Sequence, residues 1–282
     1  MMSTNPRHLI LNLLLSIGGE PLTARDAVAS CTLFGVRENS ARVALARLLA
    51  AGLIEAVGRG AYRLGPNAAE FAAEVATWRR AEQRVCEWNG AWIAVHVGGL
   101  GRIDRVALRS RERALGMLGL REFDRGLHLR PDNLVGGVAA VGERLLKLGI
   151  ERDAVVFVAK DFDPAREQRA RALWDGKALT RRYRKTSRRL EDWLARAGSL
   201  PTETAARESF LLGNDAIREL VFDPLLPAPL VDVPARRAFA DAVRHFDAAG
   251  HAIWSRFFEQ GRSRRPALRA RPAPTTTLEA TT

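Results

Sequence analysis

The apolar positions of the chain change period several times, and each change marks an element. Leu9 to Ile17 is an apolar run behind Asn5-Pro6, a pair that caps a helix and fills its first position. A helix over 6–17 follows, stopped at Gly18-Gly19. A second helix begins at Thr23, with Asp26 three residues on as an approximate capping box, and ends near Gly35. A third covers 38–51, where Ala41, Ala44, Leu45, Leu48 and Leu49 form the inward stripe. Residues 53–57 and 61–64 read as two strands around Gly58-Arg59-Gly60.

A linker at 66–90, helical over about 67–87, leads to a second block at 91–161. Residues 92–97 form a buried strand pattern, and 103–118 are helical with Val106, Leu108, Leu115 and Leu118 apolar. Two short strands follow at 120–123 and 126–130, closed by Pro131-Asp132-Asn133. Residues 138–148 are helical and 154–159 form another buried strand. The order β-α-β-β-α-β is the split pattern of a ferredoxin-like sandwich. The third block, 162–260, is helical. Leu179, Tyr183, Leu190 and Leu194 share one face there, with Arg181, Arg182, Arg184, Lys185, Arg188 and Arg189 elsewhere. The last helix spaces Phe239, Val243, Phe246, Gly250, Ile253 and Phe257 at alternating steps of four and three, a stripe that needs a helical partner. Residues 261–282, rich in arginine, proline and threonine, read as a disordered basic tail. The fold class is therefore α+β: 6–65 as a helix-rich block with a hairpin, a mixed middle block and a helical last block.

Charge changes this picture. The 282 residues carry a net +12 and a pI near 11.0, which favours a polyanionic partner. Arginine far outnumbers lysine, which suits forked contacts to phosphates and base edges. The first block holds seven cations against four acids, whereas 160–189 holds eleven against four. Cys31 and Cys86 stand far apart without metal or redox spacing, so a reducing cytoplasm is expected. The Leu9–Ile17 run, about nine residues interrupted by Asn12, is too short to span ~30 Å of hydrocarbon, so no membrane partner is expected.

The polar side of the third helix carries Asn39, Ser40, Arg42, Val43 and Arg47. Arginine forks onto guanine and asparagine onto adenine, while serine meets a base or a phosphate, so this face matches what a major groove presents. The second helix supplies the brace of a helix-turn-helix. The hairpin adds Arg59 at its tip, with Tyr62 and Arg63 on the return strand, as a wing. Arg42 and Asn39 are the base-reading candidates, with Ser40 and Arg47 on phosphate or base. In the basic run, Trp174 and Tyr183 beside Arg181, Arg182 and Arg184 are candidates for an effector site; aromatic residues at helical spacing also serve a core. Catalysis finds little support. The five histidines show no metal spacing, no nucleophile elbow or phosphate-binding loop appears, and Asp161-Phe162-Asp163-Pro164 is a common helix start. No cofactor, no metal and no enzymatic activity are expected.

The chain also resembles the PaaX family of bacterial transcriptional repressors over roughly 7–260. The resemblance rests on PheGlyVal (34–36), SerAlaArgValAlaLeuAlaArgLeu (40–48) and AlaGlyLeuIle (51–54). It rests further on LeuGlyLeu (118–120), GlyLeuHisLeuArgProAspAsnLeu (126–134) and ArgLeuLeuLysLeuGlyIle (144–150). Last come LeuTrpAsp (173–175), Tyr183 and IleArgGluLeuValPheAspProLeuLeuPro (217–227). It implies a winged helix-turn-helix, a central domain with the ferredoxin-like fold of a small CRISPR-associated nuclease, and a helical C-terminal domain. It also implies a homodimer on palindromic double-stranded operators, repressing a catabolic operon and released by an aryl-CoA thioester or related acid. Asn39, Ser40, Arg42 and Arg47 fall on the family's recognition helix and Arg59 on its wing. Two departures stand out: His96-Val97-Gly98-Gly99 replaces a nuclease-like aspartate, and Arg37 occupies the position of a helix cap. A metal-dependent nuclease and a protein-interaction module remain the rival classes.

Overall fold

The computed structural model describes residues 5–17, 20–101 and 103–263. The Gly18-Gly19 stop and most of the expected tail lie outside them. The chain is α+β, with two antiparallel sheets and a helical C-terminal region.

The first block packs α1 (Pro6–Ser16), α2 (Ala24–Leu33) and α3 (Glu38–Ala50) on a small sheet. Its capping chemistry is local. Asn5 Oδ1 accepts from the Arg7 amide at 3.0 Å, and Thr23 Oγ1 accepts from the Asp26 amide at 3.0 Å. Arg37 supplies no side-chain cap, so α3 starts with its first amides unpartnered by one. The hairpin strands are β2 (Ile54–Ala56) and β3 (Ala61–Leu64). A two-residue strand β1 (Leu22–Thr23), which no sequence pattern suggested, pairs with β3 and gives the order β1-β3-β2. Leu49, expected in the inward stripe, is instead exposed, because α3 turns it one position past the face that meets α1 and α2.

The linker departs from a single helix. It is α-helical as α4 (Pro66–Ala76), then tightens into a 3₁₀ stretch, Thr77–Arg84, with Arg80 off helical geometry. Trp78 and Ala81 are buried there, and Glu82 reaches into the C-terminal region to pair with Arg236. Tertiary contacts therefore set the path of a segment that would otherwise continue as helix.

The middle block runs β4 (Trp92–His96), α5 (Arg105–Met117), β5 (Arg121–Asp124), β6 (Leu127–Pro131), α6 (Gly137–Lys147), β7 (Val155–Ala159). Its sheet is ordered β5-β6-β4-β7, with every neighbouring pair antiparallel. The central strand β4 is buried, as expected. The expectation of a buried β7 fails: it is an edge strand paired only with β4, and Val155, Phe157 and Val158 are exposed. A continuous apolar run does not distinguish a covered strand from an uncovered edge. Val106 on α5 is likewise exposed.

Last come α7 (Pro164–Arg171), α8 (Gly176–Ala197), α9 (Thr202–Val221) and α10 (Val233–Ser263). Asp163 Oδ1 accepts from the Arg166 amide at 2.9 Å and caps α7, so the aspartate cluster is a helix start here. The α10 stripe finds its partners inside the chain: Phe239, Val243, Phe246 and Ile253 are buried in a cluster with Tyr183, Leu190 and Trp193 of α8 and Ala206 and Leu220 of α9. Residues 261–263, assigned to the tail, are the last turn of α10.

Two segments distant in sequence interlock through buried polar groups. Arg130, 1% exposed, donates to the carbonyls of Leu118 and Pro131, to Asn133 Oδ1 at 2.9 Å and to Pro224 O at 3.5 Å. Asn133 Nδ2 donates to Leu225 O at 2.7 Å. Arg236, fully buried, donates to both Glu82 carboxylate oxygens at 2.9 and 3.0 Å and to the Leu226 carbonyl. These bonds lock the 223–227 turn between the middle block and the bundle. Each buried cation is satisfied by several acceptors, the condition under which a buried charge is tolerable.

Candidate nucleic-acid interface

The exposed side of α3 divides into two faces. Asn39, Ser40, Val43 and Arg47 line one groove, together with Asn5, Pro6 and Arg7 from the start of α1. Asn39, Ser40, Val43, Arg47 and Arg7 are all exposed. Arg7 is a member the sequence pattern did not single out, because it sits in a different helix thirty-odd positions away; only packing of α1 beside α3 brings it in. Arg42 turns to the opposite side. There it lies 3.9 Å from Glu38 and lines a second groove with Arg25 of α2 and Glu203 and Arg207 of α9. The two base-reading candidates are thus not on one face.

The hairpin separates its three candidates as well. Arg59 stands exposed at the tip between Gly58 (φ 89°) and Gly60 (φ 71°), where the left-handed backbone of a tight turn favours glycine. Arg63 is exposed but tied across the hairpin to Glu55, Nε to Oε1 at 2.5 Å. Tyr62 is half-buried and packs against the core, in register with Leu22.

The five residues proposed for an effector site do not converge. Tyr183 is fully buried and stacks on Phe239 at 5.4 Å, and Trp174 stacks on Trp92 at 6.0 Å with only 7% exposure. Both are core residues, the commoner fate of aromatic side chains at helical spacing. The Tyr183 hydroxyl and Asp223 carboxylate influence each other without a hydrogen bond of normal geometry between them, and burial pushes the Asp223 carboxyl above the usual carboxylate range. Arg182 lies 3.8 Å from Glu219, and Arg184 Nη2 is 2.6 Å from Asp232.

What the basic run does build is a stripe. Arg181, Arg184, Lys185, Arg188, Arg189 and Arg196 line one long groove of α8, floored by Trp193 and by Leu211 and Leu212 of α9. Steps of three and four keep them on one helix face over roughly four turns, or ~22 Å. Asp192 and Glu208 are the acids of this groove, and Glu208 is also bonded to Trp193 Nε1 at 2.8 Å. Among the described residues no three His, Cys, Asp or Glu side chains cluster to hold a metal, and no helix is long and apolar enough to cross a membrane.

Fold and surface together define an α+β protein with a helical, arginine-striped C-terminal region behind a small helix-and-hairpin head. Residues 174–256 match the family model described as PaaX-like protein C-terminal domain. The match spans α8, α9 and most of α10, and supports the resemblance read from the sequence over that region. The solved structure of the uncharacterized protein Rv0674 from Mycobacterium tuberculosis is similar, with a TM-score of 0.58 and 24% identity, covering 90% of this chain and 98% of that one. This likeness concerns the fold alone. No curated protein matches the chain.

Proposed function

We propose that the chain is a DNA-binding transcription regulator that responds to a small ligand. In this reading the first block is a winged helix-turn-helix whose α3 enters the major groove, and the middle block is a ferredoxin-like domain. The observation that carries it is the exposed groove that sets Asn39, Ser40, Val43 and Arg47 beside Arg7, on a helix braced by α2 and flanked by a hairpin with Arg59 at its tip. That is a set of base-edge and phosphate donors on one accessible helix face. The PaaX-like C-terminal domain supports a regulator. A repressor of an aromatic-acid operon, acting without enzymatic activity in the cytoplasm, completes the reading. The resemblance supplies an aromatic acid or its CoA thioester as first candidates for the effector. A homodimer on a palindromic operator fits the β7 edge, whose exposed Val155, Phe157 and Val158 a second copy would cover.

Footprinting of the region upstream of the protein's own gene tests this. A protected palindrome lost in the Asn39→Ala/Arg47→Ala variant is expected. Equal binding of the variant and the wild type to specific and random duplexes would overturn base reading.

A further inference from the structure

Between the head and the C-terminal bundle lies a cavity of about 270 Å³. Its walls are Leu13 and Ile17 of α1, Phe210 and Ile217 of α9, and Phe246 and Trp254 of α10. An engineered apolar cavity of ~150 Å³ holds benzene, so this one has room for a bicyclic ring or a ring with a short substituent.

Three observations point to a ligand. One mid-helix glycine opens the space: Gly250 lines the cavity without the positive φ that would explain a glycine, whereas Gly213, also in the lining, sits against the Phe246 ring. A Cβ placed on Gly250 would meet nothing within 4 Å, although alanine is the better helix former. Asn214, a poor residue for the middle of a 20-residue helix, is half-buried in the same lining, and its side-chain amide has no hydrogen bond among the described residues, which leaves it free to meet a ligand. Finally, the cavity is clasped by bonds that join head to bundle. His251 Nε2 lies 2.5 Å from Ser16 O, Arg25 Nη2 donates to Gly261 O at 2.7 Å, and Arg262 Nη2 is 3.4 Å from Asp26 Oδ2.

The charges select the ligand. Glu20, Asp26 and Asp247 line the cavity, against Arg262 and His251. Arg262 is engaged with Asp26, and Asp247 is 3.0 Å from Arg79. Among the described residues lining the cavity no cation is left over for an anionic head group, and Glu20 would repel one.

We propose that this cavity is the regulator's ligand site and that it takes an uncharged aromatic molecule of one or two rings, with Asn214 hydrogen-bonding its polar substituent. The inference rests on the ligand-responsive reading and replaces the acid and thioester candidates with a neutral molecule at this site. A molecule seated between α1 and α9–α10 favours one placement of the head over another, and so biases where α3 meets DNA.

Calorimetric titration of the full chain with indole, phenylacetamide and phenylacetate tests the site. Saturable binding of the two neutral probes is expected, with phenylacetate at least tenfold weaker. Gly250→Leu fills the space and should abolish binding while the variant melts at or above the wild-type temperature; Gly250→Ala, a milder change, should weaken binding severalfold. Asn214→Ala should weaken phenylacetamide severalfold. No binding of either neutral probe, tighter binding of phenylacetate, or affinity unchanged in Gly250→Leu would each overturn the proposal. A gel shift with the footprinted operator separates the two readings. Loss of sequence-specific DNA binding with probe binding intact overturns the regulator, whereas an operator affinity that a bound probe leaves unmoved overturns the coupling.

Discussion

The helices α3 and α8 both present arginines to solvent, yet the mix of side chains around those arginines differs. α3 has 13 residues, no side-chain cap, and an exposed mixture of Asn39, Ser40, Val43 and Arg47. α8 has 22 residues, starts under Asp175, whose carboxylate accepts from the Ala178 amide at 2.8 Å, and carries almost nothing but cations along its groove. Mixed polar groups can discriminate between base edges, whereas a row of like charges can only follow a phosphate backbone. Number of charges and capacity to choose a sequence are therefore separate properties. In the proposed reading they sit in separate regions of this chain.

The regions also differ in what holds them, and that difference gives the largest expected effect. The head relies on local caps and on partly exposed bonds to the last helix; the body that carries α8 relies on polar locks around buried arginines. Arg236→Ala should lower stability by about 3–5 kcal/mol, since it strands Glu82 and the Leu226 carbonyl without their donor. Urea denaturation followed by tryptophan fluorescence measures this, and a loss below about 1 kcal/mol would show the lock to be dispensable.

Next in size is the reading face. Asn39→Ala and Arg47→Ala should each cost about 1–3 kcal/mol of operator affinity and relax base preference, measured by gel shift on substituted operators. Arg42→Ala should cost less than either, because Arg42 lies on the other face beside Glu38. An Arg42 effect larger than that of Arg47 would reverse the assignment of faces.

Smaller still is the contribution of the stripe. If α8 follows phosphates, Arg188→Ala/Arg189→Ala should reduce the slope of log affinity against log salt by ~0.9 for each phosphate charge left unneutralised, without altering base preference. A changed preference with an unchanged slope would break the division between choosing and gripping.

The slightest perturbation is chemical. Cys31 is buried inside the head on α2, and burial pushes its thiol up to about 11, while Cys86 is exposed. A thiol reagent at neutral pH should therefore titrate one cysteine in the native chain and two in denaturant. Rapid reaction of both would show that the head opens readily around α2.

Where a signal was local, the sequence carried it. Asn5-Pro6, Thr23 with Asp26, and Asp163-Pro164 placed helix starts because a cap is satisfied within three residues of itself. The solvent side of α3 was legible for the same reason, since the inward positions Ala41, Ala44, Leu45 and Leu48 repeat every three or four residues. The β-α-β-β-α-β element order also followed from period and turn signals.

What surrounds an element is a different kind of fact. The exposure of β7, the burial of Trp174 and Tyr183, the consumption of the α10 stripe by α8 and α9, and the arrival of Arg7 beside Arg47 depend on residues tens to hundreds of positions away. Gly250 reads as one more step of an apolar stripe, and only the packing of α1 against α9 and α10 turns its missing side chain into part of a cavity. Periodicity states which side of an element is apolar. Only the assembled chain decides what, if anything, covers that side.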